Sequence, residues 1–96
     1  PTLDKLAADG VRYNNFHVAA LCSPTRVALL TGRYWSRFGC NNALPSELYS
    51  TAVAMPPRTP TLAAALQTAG YRTALVGKWH LGATRESSPE PFGFGH

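Results

Sequence analysis

Apolar residues recur at helical spacing in the opening stretch of the chain. Between Thr2 and Gly10, the side chains of Leu3, Leu6 and Ala7 share one face. Thr2 is placed to cap the first turn, and Gly10 is placed to end the helix in the left-handed conformation. The pattern therefore predicts a short amphipathic helix over these residues.

Two further helices are predicted from the same periodicity together with start and stop signals. Ser23 followed by Pro24 predicts a helix start, with the run "TRVALLT" as its body and Gly32 as its end. Thr59 and Pro60 predict the next start. The face of that third helix comprises Leu62, Ala65, Leu66 and Ala69, and Gly70 ends it.

Two segments between the helices are typical of strands. Residues 11–20, "VRYNNFHVAA", are rich in β-branched and aromatic side chains and lead into Leu21 and Cys22. Residues 71–77, "YRTALVG", form the nearly continuous apolar run of a strand buried in a parallel sheet. Turn residues predict mostly loop over residues 33–58 and 87–96. The alternation predicts an α/β fold, with a mostly parallel sheet flanked by helices.

Polar residues follow both predicted strands. Cys22 follows the first strand, and Lys78, Trp79 and His80 follow the second. Ligands of open α/β sheets bind outside the carboxyl ends of the strands, so we expect these residues to approach one another. Trp79 is expected to be a packing residue.

The chemistry of these residues suits an anion. Cys22 stands at a predicted helix N-terminus, where free N–H groups favour negative charge, and Arg26 lies one turn further on. Lys78 and His80 alternate along an extended segment, so both can project to one side and combine a fixed charge with a proton acceptor. Each residue singly also fits an ordinary structural role. The residues alone therefore predict an anion-handling α/β enzyme and leave open whether Cys22 is a nucleophile.

The length and net charge of the chain limit the number of domains and the classes of protein that it can represent. The chain has 96 residues, 45% of them hydrophobic, enough for one small core. Because Pro1 leads straight into a helical pattern and the last residues lack a terminating element, we expect residues 1–96 to be part of a single domain. The net charge of +4 is spread along the chain, which argues against a nucleic-acid interface. No stretch approaches the roughly 20 apolar residues of a membrane span.

The remaining candidate residues are cysteines and histidines. Cys22 and Cys40 could form one disulfide or none, and the sequence leaves both open. His17 and His96 have no neighbours at metal-ligand spacing and are expected to be structural.

Two motifs resemble signatures of the sulfatase family. "CSPTR", residues 22–26, matches the pattern Cys-x-Pro-x-Arg and is followed by "LLTGR"; "GKWHLG", residues 77–82, matches the second signature. The flanking stretches and the closing "PFGFGH" are similar as well, in the family's order and over essentially the whole chain. The chain resembles the N-terminal portion of an arylsulfatase-like catalytic domain.

This resemblance implies an alkaline-phosphatase-like fold and a specific chemistry. Cys22 would be oxidised to formylglycine by a separate formylglycine-generating enzyme, and the hydrated aldehyde would coordinate calcium or another divalent cation and attack a sulfate ester. Arg26 would stabilise the hydrate, Lys78 would contact hydrate and sulfate, and His80 would accept a proton from the hydrate. The family resemblance also implies a periplasmic, secreted or lysosomal location.

Asp4 and Asp9 do not match the upstream aspartate pair with which the family binds metal, and no downstream Asp-Asn pair is present in this sequence. We therefore expect residues 1–96 alone neither to bind calcium tightly nor to turn over substrate. Three alternatives remain. They are a formylglycine-dependent phosphonate or phosphate ester hydrolase, a degenerate unmodified relative, and a secreted binding module with a Cys22 to Cys40 disulfide.

Overall fold

The computed structural model describes residues 1–45 and 54–95, which form helices joined by turns and irregular segments. The α-helices are α1 (Thr2–Asp9), α2 (Cys22–Thr31) and α3 (Leu62–Thr68), and short 3₁₀ helices span Trp35–Phe38 and Glu90–Phe92. The three predicted helices are thus confirmed, with shifted bounds. Part of the predicted loop, residues 46–53, and His96 lie outside the described residues.

Helix α1 lies on the surface. Leu3 and Leu6 are 80% and 68% exposed, and no residue of the helix is buried. The predicted ends are wrong in detail: Thr2 makes no capping hydrogen bond because it already lies inside the helix, and Gly10 has an extended backbone with φ −115°. The Lys5 ammonium lies 2.7 Å from the Asp9 carboxylate, one turn apart, which supports the helix weakly.

Helix α2 begins two residues earlier than predicted. Leu21 is its N-cap, and Ser23 is a helical residue whose hydroxyl bonds to another segment, so the predicted Ser23 cap is wrong. Pro24 is accommodated because the first four amides of a helix have no intrahelical acceptor. Gly32 ends the helix at φ 66° and ψ 18°, as predicted.

Helix α3 begins later than predicted and packs through a different face. Thr61 is its N-cap and accepts a hydrogen bond from the Ala64 amide at 3.1 Å. Ala63 is buried, whereas Leu62 and Leu66 are exposed, contrary to the predicted face. The small alanine face is used because residues 92–93 lie directly on this turn, as the Thr61 hydroxyl bonded to the Phe92 carbonyl shows.

The two predicted strands are not strands within the described part of the chain. Residues 11–20 and 71–77 are irregular there, and Val11 and Val76 are 83% and 97% exposed. A strand requires the backbone of a neighbour, and among the described residues neither segment has a ladder of such hydrogen bonds. The predicted parallel sheet is therefore not observed in residues 1–45 and 54–95.

The core joins α2 to the segment that follows residue 78. Its buried members are Val27, Cys40, Ala54, Met55, Trp79, Leu81 and Phe92. Trp79 packs as predicted: its ring centre lies 5.7 Å from that of Phe92, and its indole N–H donates to the Ser87 carbonyl at 2.7 Å. Phe92, in the predicted terminal loop, is only 1% exposed, so this loop contributes to the core. Burial of Trp79 and Leu81 anchors the chain on either side of His80, which lies between them.

No helix among the described residues is long and apolar enough to cross a membrane.

Candidate active site at the start of helix α2

The structure brings the first residue of α2 to the second motif. Cys22 is partly exposed, and its Sγ atom lies 3.1 Å from Nδ1 of His80, although the two residues are 58 positions apart. Beside Cys22, a cavity of about 430 Å³ is bordered by Leu21, Arg26 and Leu29 among others. The two motifs thus approach each other as predicted, although the part of the chain that the structure describes does not form the predicted sheet.

Arg26 connects α2 to the second motif and has one N–H group without a partner in the described part of the chain. Its Nη1 donates to the carbonyl of Lys78. Its Nε is buried and has no hydrogen-bond partner among the described residues. A buried guanidinium N–H without an acceptor is costly, so this atom indicates a place for an anionic or oxygen-bearing group.

Lys78 favours negative charge at position 22. Desolvation is the largest influence on the Cys22 thiol and raises its pKa, but the Lys78 charge and hydrogen bonds from Lys78 and the Ser23 amide act in the opposite direction. Their sum lowers the pKa of Cys22 below the ordinary value of a thiol. Position 22 therefore favours negative charge.

Cys40 has the opposite character. It is buried, and burial, followed by the charge of Cys22, raises the pKa of its thiol. Both Cys22 and Cys40 are free thiols in the structure, so the disulfide of the binding-module alternative is not formed.

His80 is held in an uncommon backbone conformation. Its φ is 60°, in the left-handed region that few residues other than glycine occupy. The segment from Lys78 to His80 is therefore not the regular extended run from which we predicted their common direction, yet both residues approach Cys22.

Two residues that the sequence does not mark as site residues, Ser23 and Leu44, hold His80. Nε2 of His80 lies 3.2 Å from the Leu44 carbonyl, and the Ser23 hydroxyl donates to the His80 carbonyl at 2.9 Å. A carbonyl only accepts, so in the neutral ring Nε2 carries the proton and the Nδ1 lone pair faces Cys22. Ser23 follows from the sequence only as a helix cap, and Leu44 contributes backbone atoms, which leave no side-chain signal.

The described residues do not by themselves fit a calcium site. Calcium prefers six to eight oxygen ligands, and the described part of the chain holds no group of three or more His, Cys, Asp and Glu side chains suited to a metal. Asp4 and Asp9 lie on α1, and the Asp9 carboxylate pairs with Lys5. His17 borders a separate groove with Phe16 and Trp35.

Comparison with known proteins places the chain in a family. The sulfatase family model matches residues 1–96. Arylsulfatase G of Rattus norvegicus is 46% identical, over 96% of this chain and 17% of that protein. An arylsulfatase of Hemicentrotus pulcherrimus is 41% identical, over 97% of this chain and 18% of that protein. Arylsulfatase A of Bos taurus is 42% identical, over 98% of this chain and 19% of that protein.

The chain therefore belongs to the sulfatase family, as its two motifs predict. It spans less than a fifth of the length of these relatives. The family implies an alkaline-phosphatase-like fold, of which the described residues show the helices and the junction between the two motifs.

Proposed function

We propose that the complete protein hydrolyses sulfate esters of the arylsulfatase class through a hydrated formylglycine formed from Cys22. The observation that carries this proposal is the convergence of Cys22, Arg26, Lys78 and His80 at one helix end. Cys22 contacts His80, Arg26 bonds to the Lys78 carbonyl, and Lys78 acts on the pKa of Cys22. Membership of the sulfatase family supports the same chemistry.

The surroundings of position 22 suit a hydrated aldehyde. Such a group supplies two hydroxyls on one carbon, one to attack sulfur and one to release a proton afterwards. It needs donors that tolerate negative charge. The Nε of Arg26, which has no partner within residues 1–45 and 54–95, and the ammonium of Lys78 are of this kind. It also needs a proton acceptor, and Nδ1 of His80 faces the same atom.

Each charged residue then has one task. Attack forms a bond between one hydrate oxygen and sulfur and breaks the bond between sulfur and the ester oxygen, so that the alcohol leaves with that electron pair and with the proton of the attacking hydroxyl. During this step Lys78 offsets the negative charge that builds on the sulfate oxygens, and Arg26 offsets the charge on the hydrate. His80 takes the proton of the second hydroxyl at Nδ1. The electron pair of that O–H bond forms the C=O bond while sulfate leaves with the pair of its C–O bond. The step is redox-neutral, and it requires the second hydroxyl, which a serine at position 22 would lack.

The proposal includes partners and surroundings that the described residues do not contain. A formylglycine-generating enzyme would modify Cys22, and the natural substrate is a sulfate ester. Calcium, or another divalent cation, would need ligands beyond position 22, since the described residues do not complete such a site. We further propose that residues 1–96 form part of a single α/β domain with a mostly parallel sheet, in a secreted, periplasmic or lysosomal protein.

A second activity fits the same geometry. Arg26 and Lys78 present charge to an anionic ester, and neither side chain distinguishes sulfur from phosphorus. A phosphonate or phosphate ester hydrolase with the same formylglycine is therefore the alternative candidate.

The test is to assay the complete protein in parallel on aryl sulfate, aryl phosphate and phenyl phosphonate esters. We expect sulfate to give the highest kcat/KM and the Cys22→Ser variant to lose turnover. Cys40→Ala, which removes the other thiol, is the control and should retain turnover. A preference for phosphonate or phosphate would establish the alternative, and absence of all three activities from a fully modified protein would contradict both. Residues 1–96 alone should be inactive in the same assays.

A further inference from the structure

We propose that Ser23 is a positioning residue that holds His80 against residue 22. This inference rests on the proposed function, because it assigns His80 the task of proton acceptor there. Ser23 occupies the first variable position of the Cys-x-Pro-x-Arg motif, so the motif itself assigns it no role.

The hydroxyl of Ser23 lies at the centre of a closed set of hydrogen bonds. It donates to the His80 carbonyl at 2.9 Å and accepts from the Leu44 amide at 3.1 Å. The Leu44 carbonyl in turn lies 3.2 Å from Nε2 of His80. One hydroxyl thus connects three separate segments of the chain, and His80 is held through both its backbone carbonyl and its ring.

Burial makes this arrangement rigid. Ser23 has 0% exposure, so water cannot replace a lost hydrogen bond at its hydroxyl. Its place on the first turn of α2, directly after Cys22, ties the carbonyl of His80 to the same helix end that carries the reacting residue. The distance between Nδ1 and position 22 is therefore set through Ser23.

The backbone of His80 shows why such a tie is needed. A histidine at φ 60° is strained, and a strained residue keeps its conformation only when its surroundings enforce it. The Ser23 bond to the His80 carbonyl acts on this residue directly, and the Leu44 carbonyl fixes which ring nitrogen faces Cys22. Without the hydroxyl, we expect the His80 segment to relax and Nδ1 to leave position 22.

The first experiment compares Ser23→Ala with Thr31→Val in the complete, formylglycine-bearing protein. Thr31 is the matched control. Like that of Ser23, its hydroxyl donates to a backbone carbonyl, here that of Val27 at 2.7 Å, but Thr31 lies at the other end of α2. The formylglycine content of each variant is measured by peptide mass, so that a modification defect is separated from a catalytic one. We expect Ser23→Ala to lower kcat about tenfold or more, with KM changed little, because a small displacement of a reacting group is costly. Thr31→Val should keep the kcat of the unaltered protein.

The second experiment uses complete protein in which Cys22 is left unmodified, and it measures alkylation of Cys22 by iodoacetamide at neutral pH. Loss of the Nδ1 contact should slow this reaction several-fold in Ser23→Ala and leave it unchanged in Thr31→Val. In a His80→Ala background, Ser23→Ala should cause no additional slowing, because its effect passes through His80. Continued protection of buried Cys40 from the reagent shows that each variant is folded.

Equal kcat values for Ser23→Ala and Thr31→Val would overturn the inference. So would an alkylation rate of Cys22 that Ser23→Ala lowers equally in the unaltered and the His80→Ala backgrounds. These outcomes differ from failure of the proposed function, in which the unaltered protein lacks formylglycine or turns over no ester. The alkylation experiment needs neither formylglycine nor ester turnover, and it still tests whether Ser23 positions His80.

Discussion

The two cysteines of this chain have opposite environments, and the difference defines the site. The ammonium of Lys78 and nearby amide donors lower the pKa of partly exposed Cys22, whereas burial raises the pKa of Cys40. A position that stabilises a thiolate also suits the anionic chemistry proposed for formylglycine. Cys40 belongs to the same buried core cluster as Trp79.

Removal of the Lys78 charge should make Cys22 a more ordinary thiol. A neighbouring cation favours the thiolate and so lowers the pKa; Lys78→Met therefore raises the pKa of Cys22. In complete protein with unmodified Cys22, the alkylation rate should rise at a higher pH in Lys78→Met than in the unaltered protein. Lys5→Met, on α1 and paired with Asp9, is the control. An unchanged pH profile in Lys78→Met would show that this charge does not act on Cys22.

The sequence predicts four site residues and misses what holds them. Cys22, Arg26, Lys78 and His80 lie in motifs whose side chains carry the chemistry, and the structure brings them together. The roles proposed for them remain predictions. The left-handed backbone of His80 and the hydrogen bonds of Ser23 arise from tertiary packing, which side-chain patterns along the chain do not encode.

At the scale of elements, residues 92–94 pack against the segment that carries Lys78 and His80. Phe92 and Phe94 pack against Trp79, with ring centres 5.7 and 5.9 Å away. Gly93 lies so close to α3 that an added Cβ would be 2.3 Å from the Ala64 nitrogen. The segment thus joins α3 to Trp79, the residue between Lys78 and His80.

Gly93→Ala should destabilise the complete protein markedly. The φ of Gly93 is 95°, and its new methyl group would overlap the backbone of Ala64. We expect the free energy of unfolding to fall by about 2 kcal/mol or more, which a lower Tm or denaturant midpoint would show. Gly39→Ala is the control: φ there is 69° with open space around the site, so only backbone strain is added. A Gly93→Ala loss no larger than that of Gly39→Ala would contradict the close packing.

The described residues confirm the predicted helices and do not confirm the predicted strands, for a physical reason. A helix satisfies its backbone within one segment, so periodicity and signals such as Gly32 suffice to locate α2. A strand depends on a partner, and residues 11–20 and 71–77 have none within the described chain. The face of α3 was mispredicted because close backbone approach, and not hydrophobicity, selects its alanines.

At the scale of the whole molecule, much apolar surface is uncovered. Leu3, Val11, Tyr13, Phe16 and Val76 are each 70% exposed or more. Exposed apolar area on this scale marks a surface that another part of a protein covers. Because the chain spans less than a fifth of its relatives' length, we attribute this surface to contacts with the rest of the sulfatase domain.

Hydrogen exchange on the complete protein tests this account. If residues 11–20 and 71–77 are strands of the proposed sheet, their amides should exchange slowly there, because sheet hydrogen bonds protect them. The amides of α2, whose Val27 is buried in the core, should exchange slowly in either case and provide the internal reference. Fast exchange over both predicted strands would exclude them from the sheet.

The central claim is that position 22 carries formylglycine in the working protein. The most direct test is the mass of the tryptic peptide from Tyr13 to Arg26, taken from the complete protein in its native host. Conversion of CH2SH to CHO makes this peptide lighter and reactive toward hydrazides, and we predict that the converted species dominates. A peptide found wholly as the thiol or as a disulfide would contradict the proposed catalysis and favour a degenerate or binding role.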